Sequence, residues 1–206
     1  MRGQTVQVAE IIRPYFTEEQ AKESVEKKKR FSFSKKEIRW ISSIPMYLPF
    51  WLVNVEMQLR SIQPNSQVSK VYTTMVNGLN NRGLTLKGDL ITDVIEARGI
   101  YLKTETPLED VKEAGRVEAL AGSKRIINPP PHRVLDDMRL IYYPLSLVKL
   151  SVNGKEEIQI FDHYRGGIDK YMMRYLRLME KMEEKSSRLS QQAVKHIKVQ
   201  HFGVEE

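Results

Sequence analysis

Apolar and aromatic residues are concentrated in two similar stretches of an otherwise charged chain. The sequence MYLPFWLVNVE fills residues 46–56, and IYYPLSLVKLS fills residues 141–151. The identical positions are Tyr47, Pro49, Leu52 and Val53 in the first stretch and Tyr142, Pro144, Leu147 and Val148 in the second. A proline inside a strand removes one donor from the hydrogen-bond ladder, so each stretch predicts a bent strand with its proline at an edge, a strand start or a bulge. The agreement indicates an internal duplication.

A helix-capping pattern precedes each bent strand. Residues 17–20, Thr-Glu-Glu-Gln, offer a hydroxyl that can cap a helix and a glutamine that can return the bond. Residues 106–109, Thr-Pro-Leu-Glu, have the same form, with Pro107 at the first helical position. We therefore expect helices over residues 17–31 and 106–121.

Each bent strand is followed by a second β-like run, over residues 70–76 and 157–161, rich in Val, Ile, Thr, Tyr and Phe. Asn153-Gly154 predicts a tight turn between the strands of the second pair. Both runs end in residues that favour turns, over 77–81 and 162–166. Each copy thus reads as a helix followed by an antiparallel hairpin.

These elements predict an α+β fold of two pseudo-repeated helix-plus-antiparallel-hairpin units, followed by a long C-terminal amphipathic helix. The predicted divisions are residues 1–87 for the first unit, 88–167 for the second, and 168–206 for the C-terminal helix and tail. The length of 206 residues suits one ordinary domain or two small ones, and 41% hydrophobic residues suffice for a core.

The order of helix, hairpin and closing turn resembles the PepSY-like, cystatin-related modules, whose last strand ends in an Asp-x-x-Thr-Gly type of turn. Residues 162–166, Asp-His-Tyr-Arg-Gly, match that turn more closely than residues 77–81, Asn-Gly-Leu-Asn-Asn. The resemblance covers most of residues 17–169. It implies a non-catalytic regulatory or inhibitory binding domain, of a kind often found outside the cytoplasm, and it identifies no functional residue.

The period of the apolar positions changes after residue 167. They recur at alternating spacings of four and three: Ile168, Met172, Tyr175, Met179, Met182, Ser186, Leu189, Ala193 and His196. This is the rhythm of a coiled-coil seam and predicts about 29 helical residues. One interpretation places the whole helix on its own domain, frayed after Ser186. The other has it project and pair with a second copy or a different protein through Met179, Met182 and Leu189.

Positive charge is concentrated in one segment. The chain carries a formal net charge of +7, and residues 22–39 hold eight Lys or Arg against three Glu. Phe31, Phe33 and Trp40 are interleaved with them, as in surfaces that combine phosphate contacts with base stacking. The candidate residues for an anionic partner are Lys27, Lys28, Lys29, Arg30, Lys35, Lys36 and Arg39. The alternative is a solvated helix face followed by the core aromatics of the first bent strand.

The sequence contains few groups arranged for chemistry. It has no cysteine, and its four histidines lack metal-binding spacing. Asp136, Asp137 and Asp162 could form a carboxylate group only if the second bent strand meets the closing turn, where His163 also lies. No phosphate-binding glycine loop, dinucleotide fingerprint or nucleophile elbow is present. We expect no catalytic residue, no cofactor and no metal.

We therefore expect a non-enzymatic protein-interaction or scaffold protein that self-associates through its C-terminal helix, with a protein partner or a homodimer. The alternative is a nucleic-acid-binding accessory protein that uses the basic segment. A weaker third possibility is a sensor of a small molecule or peptide, held between the bent strands near Tyr47 and Tyr142. No apolar run reaches the roughly 20 residues of a membrane span and no export signal is evident, so a cytoplasmic location is expected.

Overall fold

The structure is a computed structural model, and it describes residues 5–27, 37–60, 67–104, 106–123, 128–178 and 181. The chain divides between Gly167 and Ile168, and the parts before and after this point are described separately. The part before it consists of a sheet with two helices. The strands are β1 Thr5–Ile12, β2 Ile38–Arg60, β3 Gln67–Asn77, β4 Gly83–Thr85, β5 Thr92–Tyr101, β6 His132–Val134, β7 Arg139–Val152, β8 Lys155–Asp162 and β9 Gly167–Ile168. The helices are α1 Glu18–Lys27 and α2 Leu108–Gly122.

The stretches that were predicted to be bent strands lie in β2 and β7, which pair with each other along the whole of β7. The strand order is β4-β3-β2-β5-β1-β7-β8-β9, β6 pairs with β2, and β2 also pairs with β7. The antiparallel register of β2 and β7 places Tyr47 opposite Pro144 and Pro49 opposite Tyr142. The similar stretches are therefore neighbours, with the proline of one facing the tyrosine of the other.

The strands β1 and β5 join the two halves of the chain. They pair with each other in antiparallel fashion over eight residues. In addition, β1 pairs with β7 in parallel at Ile11 and Tyr142, and β5 pairs with β2 in parallel at Ile100 and Tyr101. Each of these strands therefore pairs with strands from the other half of the chain. Residues on both sides of position 87 share one sheet.

The prediction of two helix-plus-hairpin units that end in a long helix is wrong. The described chain is mainly one large mixed sheet, and its three helices are short: α1, α2 and α3, over residues 170–178. The physical reason is that the hairpins are covered by elements of the other half: α2, the predicted helix of the second unit, packs on β2 and β3 of the first, and β2 pairs with β7. The predicted coiled-coil helix is likewise contradicted, and Met179, Met182 and Leu189 lie outside the described residues.

The helix α2 covers the paired strands β2 and β3. Its residues Val111, Ala119 and Leu120 are buried against four apolar residues of those strands. These are Val53, Val55, Met57 and Val76. A Cβ on Gly115 would lie 2.7 Å from the side chain of Val53, so glycine permits the close approach of the helix to the sheet.

The two predicted helix caps have different outcomes. At α1 the capping box is confirmed, because Gln20 N donates to Thr17 Oγ1 at 3.3 Å and Thr17 N donates to Gln20 Oε1 at 3.0 Å. At α2 the capping residue is Pro107, which makes no side-chain cap. Thr106 Oγ1 instead donates to the carbonyl of Gly78 at 3.1 Å. A tertiary contact has therefore replaced the local cap.

The part of the chain after residue 167 is described as far as α3. Asp169 caps this helix, since its Oδ1 accepts hydrogen bonds from Tyr171 N and Met172 N, both at 2.9 Å. Within the described residues, no helix has the length and hydropathy needed to span a membrane.

Candidate functional site

The bent strands bring Tyr47 and Tyr142 close to a third tyrosine that the sequence did not suggest. Tyr101, at the end of β5, stacks on Tyr47 with ring centroids 4.6 Å apart and meets Tyr142 edge to face at 5.0 Å. The Tyr101 hydroxyl donates to the Ala97 carbonyl at 3.0 Å. A side chain of the protein itself thus bridges the two rings between which the sequence suggested a ligand.

The surroundings of Tyr47 and Tyr101 favour the neutral form of each phenol. Burial raises the pKa of Tyr47. Burial, and then the neighbouring Tyr47 and Tyr142, raise the pKa of Tyr101 to about 12. A phenol of this kind keeps its proton near neutral pH, so the cluster is suited to packing and hydrogen-bond donation rather than to proton abstraction.

The closing turn of the second hairpin contains a buried carboxylate with many donors. The Tyr143 hydroxyl donates to both oxygens of Asp162, at 2.9 and 3.0 Å. Asp162 Oδ1 also accepts from Tyr164 N at 2.9 Å and from Arg165 N at 2.8 Å, and the Arg165 guanidinium lies 3.9 Å from Oδ2. Burial, followed by the negative charge of Asp162, strongly raises the pKa of Tyr143. The turn is therefore fixed by a satisfied carboxylate.

Ser146 and His163 form a second polar contact in the same turn. Ser146 Oγ lies 2.7 Å from His163 Nε2, and His163 Nδ1 lies 2.8 Å from the carbonyl oxygen of Phe16. A carbonyl can only accept, which assigns a proton to Nδ1; in the neutral imidazole, Nε2 is then the acceptor for the serine hydroxyl. The spacing is that of a nucleophile and its base. Both side chains are buried, however, and the pair connects the turn to the chain that follows β1.

The candidate carboxylate group does not form. Asp137 accepts a hydrogen bond from Asn54 Nδ2 at 2.9 Å, while Asp162 is engaged by Tyr143 in the closing turn. Among the described residues no three His, Asp or Glu are arranged to hold a metal ion. His132 contacts the Pro130 carbonyl and Arg116, and His196 and His201 lie outside the described residues.

Two of the seven candidate residues for an anionic partner, Lys27 and Arg39, are described, and each is paired with an acid. Lys27 Nζ lies 2.5 Å from Glu23, and the Arg39 guanidinium lies 2.6 Å from Glu37, all four side chains being exposed. Trp40 packs edge to face on Phe161, with centroids 6.0 Å apart. Lys28, Lys29, Arg30, Lys35 and Lys36, with Phe31 and Phe33, lie outside the described residues. Binding of an anionic partner by this segment stays a prediction.

The pair of strands β1 and β5, here called the ribbon, is buried around Ala9 and Ala97 on one face and exposes three valines on the other, whose far end, at Ile12, is buried. Ala9 and Ala97 are buried in a cluster, and the three tyrosines pack against it. Their neighbours on the opposite face are exposed: Val6 by 57%, Val8 by 71% and Val94 by 72%. We call this outward surface the ribbon face. Sequence reasoning missed it, although the alternation in TVQVA over residues 5–9 is a strand signal.

Charged residues of both signs flank the three valines. In the register of the ribbon, Val6 lies opposite Arg98 and Val8 opposite Glu96. Val94 lies opposite Glu10, which accepts hydrogen bonds from Thr92 Oγ1 and Arg139. The ribbon face thus has an aliphatic centre with a mixed-charge border.

Comparison of the chain with protein-family models, with curated proteins and with solved structures gives no match. The resemblance to PepSY-like modules therefore stays a prediction. The ribbon face and the two polar clusters are judged by their own geometry, and that geometry separates them. The polar groups of the turn are internally satisfied, whereas the valines of the ribbon are exposed.

Proposed function

We propose that this protein is a non-enzymatic interaction protein that docks a protein partner on the ribbon face. The observation that carries the proposal is the high exposure of Val6, Val8 and Val94 on one face of a paired, regular element. Single exposed apolar residues are ordinary on protein surfaces, whereas a contiguous group rimmed by polar residues marks an interaction site.

The energetics of the face favour a protein partner. Full burial of a valine side chain contributes roughly 1.5 kcal/mol or more, so three such residues supply a useful centre for an interface. The border formed by Glu96 and Arg98 can provide the polar rim that surrounds such a centre. A nucleic acid would instead require a uniformly basic surface, and the ribbon carries acids and bases together.

The face is held in place by close packing beneath it. A Cβ on Gly99 would lie 2.6 Å from the Pro45 carbonyl oxygen and 2.6 Å from the Tyr47 ring, so the ribbon sits directly on β2. Preformed surfaces lose less conformational entropy on binding. The tyrosine cluster therefore supports the ribbon that carries the exposed valines.

The polar clusters support a non-enzymatic role. Asp162, Ser146 and His163 are buried, and each uses its hydrogen-bonding groups within the protein. A catalytic group must reach a substrate atom at about 3 Å. These side chains are arranged instead to join the second hairpin to the segment before α1.

Site-specific photo-crosslinking in cells tests the proposal. A photoreactive residue is placed at Val8, at Val94, or at Val71 as a matched control, since Val71 is a 50% exposed valine on β3 outside the ribbon. We expect one crosslinked species from Val8 and Val94 and none from Val71. Crosslinking that is absent or equal at all three positions would contradict docking on the ribbon face.

A further inference from the structure

We infer that the partner on the ribbon is a second copy of this chain, which pairs through β1 in an antiparallel β1-to-β1 arrangement. The inference rests on the proposed function of the ribbon and names its occupant. It is carried by the juxtaposition of a free strand edge, an uncharged sequence along that edge, and exposed valines on the adjoining face.

Within the part of the chain that the structure describes, residues 5–9 of β1 have no strand partner on the edge that faces away from β5. One edge of β1 pairs with β5 from Thr5 to Ile12. On the other edge, the pairing with β7 is confined to Ile11 and Tyr142 among the described residues. Backbone donors and acceptors that alternate along such an edge are matched by another extended strand, which adds to the sheet. The geometry therefore specifies a strand as the occupant.

Other open edges of the sheet carry features that oppose pairing. The strands β4 and β9 have three and two residues. The open part of β3 contains Lys70, β8 begins Lys-Glu-Glu, and β5 contains Asp93, Glu96 and Arg98. Short edges and edge charges prevent association between sheets. Residues 5–9 of β1, TVQVA, contain no charge and no proline.

The sequence of β1 is complementary to itself. In a register centred on Gln7, Val6 lies opposite Val8 of the second copy, and Val8 lies opposite Val6 of that copy. Four valines then form one cluster on the ribbon face, and no like charges are opposed. Val94, on the next strand, extends the same apolar surface on each copy. Apolar cross-strand pairs of this kind stabilise antiparallel sheets.

The test uses the full chain and two charge variants. In the variant V6K/V8K, lysines oppose lysines across the dyad, and in V6E/V8E, glutamates oppose glutamates. Sedimentation equilibrium should show a dimer for the wild type. For each variant alone, the dissociation constant of the dimer should be at least roughly tenfold higher. An equimolar mixture of the two variants should restore a dimer, because lysine then faces glutamate in every pair. Restoration in the mixture also demonstrates that both variants are folded.

The variant V71K is the matched control, because Val71 is a 50% exposed valine on β3, outside the ribbon and away from the pairing edge. We expect its dimer to persist. A second measurement is hydrogen exchange, in which the amides of residues 5–9 should become more protected as protein concentration rises.

Two results would overturn the inference. One is a wild type that remains monomeric, with β1 exchange independent of concentration. The other is a dimer that neither charge variant weakens. Either result leaves the docking proposal to be judged separately, because crosslinking from Val8 and Val94 to a different protein would retain the ribbon face while excluding self-pairing.

Discussion

The turns that end the two hairpins have the same backbone but different polarity. In residues 77–81 the Asn77 side chain accepts a hydrogen bond from Leu79 N at 2.8 Å, and in residues 162–166 the Asp162 side chain accepts one from Tyr164 N at 2.9 Å. In both turns the amide of the fifth residue donates to the carbonyl of the first, at 3.0 and 2.8 Å. One turn begins with a neutral amide and the other with a buried carboxylate.

The second residue of each turn secures the chain that precedes a helix. The Gly78 carbonyl accepts hydrogen bonds from the hydroxyls of Thr104 and Thr106, both at 3.1 Å. The His163 carbonyl accepts from the backbone amides of residues 15 and 16, at 3.1 and 3.0 Å, and the imidazole adds its contact with Ser146. The first turn is therefore held by threonine hydroxyls that bond to its glycine carbonyl. In the second turn the histidine adds a contact through its own side chain.

The same backbone turn can therefore be stabilised by weak neutral contacts or by a buried polar network. Buried networks are strong when complete and costly when one member is removed. The second turn should consequently be much more sensitive to substitution than the first.

The largest expected effect is the loss of the carboxylate. Asp162→Ala leaves the Tyr143 hydroxyl and the amides of Tyr164 and Arg165 without their acceptor, so we expect the free energy of unfolding to fall by about 3 kcal/mol. Urea denaturation measures it. Asn77→Ala is the matched change and should cost about 1 kcal/mol. Equal losses in the two variants would refute the difference between the turns.

The next effect concerns the fifth turn residue, which has positive φ in both turns. Gly166 has φ 71, and a Cβ there would lie 2.4 Å from the ring of Phe16. Gly166→Ala should therefore lower the free energy of unfolding by about 2 kcal/mol, through strain and steric overlap. Chemical denaturation of Gly166→Asn separates the causes, because asparagine tolerates positive φ but still carries a Cβ.

The corresponding position in the first turn provides the control. Asn81 has φ 58, and its Oδ1 is buried without a hydrogen-bond partner among the described residues. Asn81→Gly keeps the favoured φ and removes the unsatisfied group, so stability should stay within about 0.5 kcal/mol of wild type. A loss as large as that of Gly166→Ala would mean that the two positions are not equivalent.

Both turns, the presence of strands at residues 46–56 and 141–151, and the cap at Thr17 could be predicted from the sequence, because each depends on residues close together in the chain. The cap at Thr106 could not, since its hydroxyl bonds to Gly78 across the fold. The strands β1 and β5 were missed because their exposed valines give a weak amphipathic signal. Without them, neither the shared sheet nor the position of Tyr101 could be deduced.

The candidate site shows the same limit. The sequence placed Tyr47 and Tyr142 in strands, as the structure does, but their contact with Tyr101 depends on β5. His163 was noted as a turn residue beside Asp162, yet its bond to Ser146 joins residues 17 positions apart. Long-range contacts of this kind leave no local pattern to read.

A smaller effect is expected from removing the serine of the second turn. Ser146→Ala leaves the buried His163 Nε2 without its donor, which should lower the free energy of unfolding by about 1.5 kcal/mol. Thermal or urea denaturation measures the loss. Ser146→Thr retains a hydroxyl and serves as the comparison. If alanine and threonine are equally tolerated, the imidazole contact contributes little to the turn.

The smallest effect is a pH dependence that only the second turn should have. Burial beside Asp162 raises the pKa of Tyr143 in the folded protein, so the folded state keeps the phenolic proton at pH values where the unfolded chain loses it. This contribution is complete below pH about 10 and is lost as pH rises above it. Between pH 8 and 11, wild type should lose about 1 kcal/mol more than Tyr143→Phe, as measured by urea denaturation. Tyr101, whose pKa is raised to about 12, remains in both proteins, so its contribution cancels in the difference. If the two proteins lose stability in parallel above pH 10, the buried network does not protect the Tyr143 proton, and the contrast between the turns reduces to their backbone contacts.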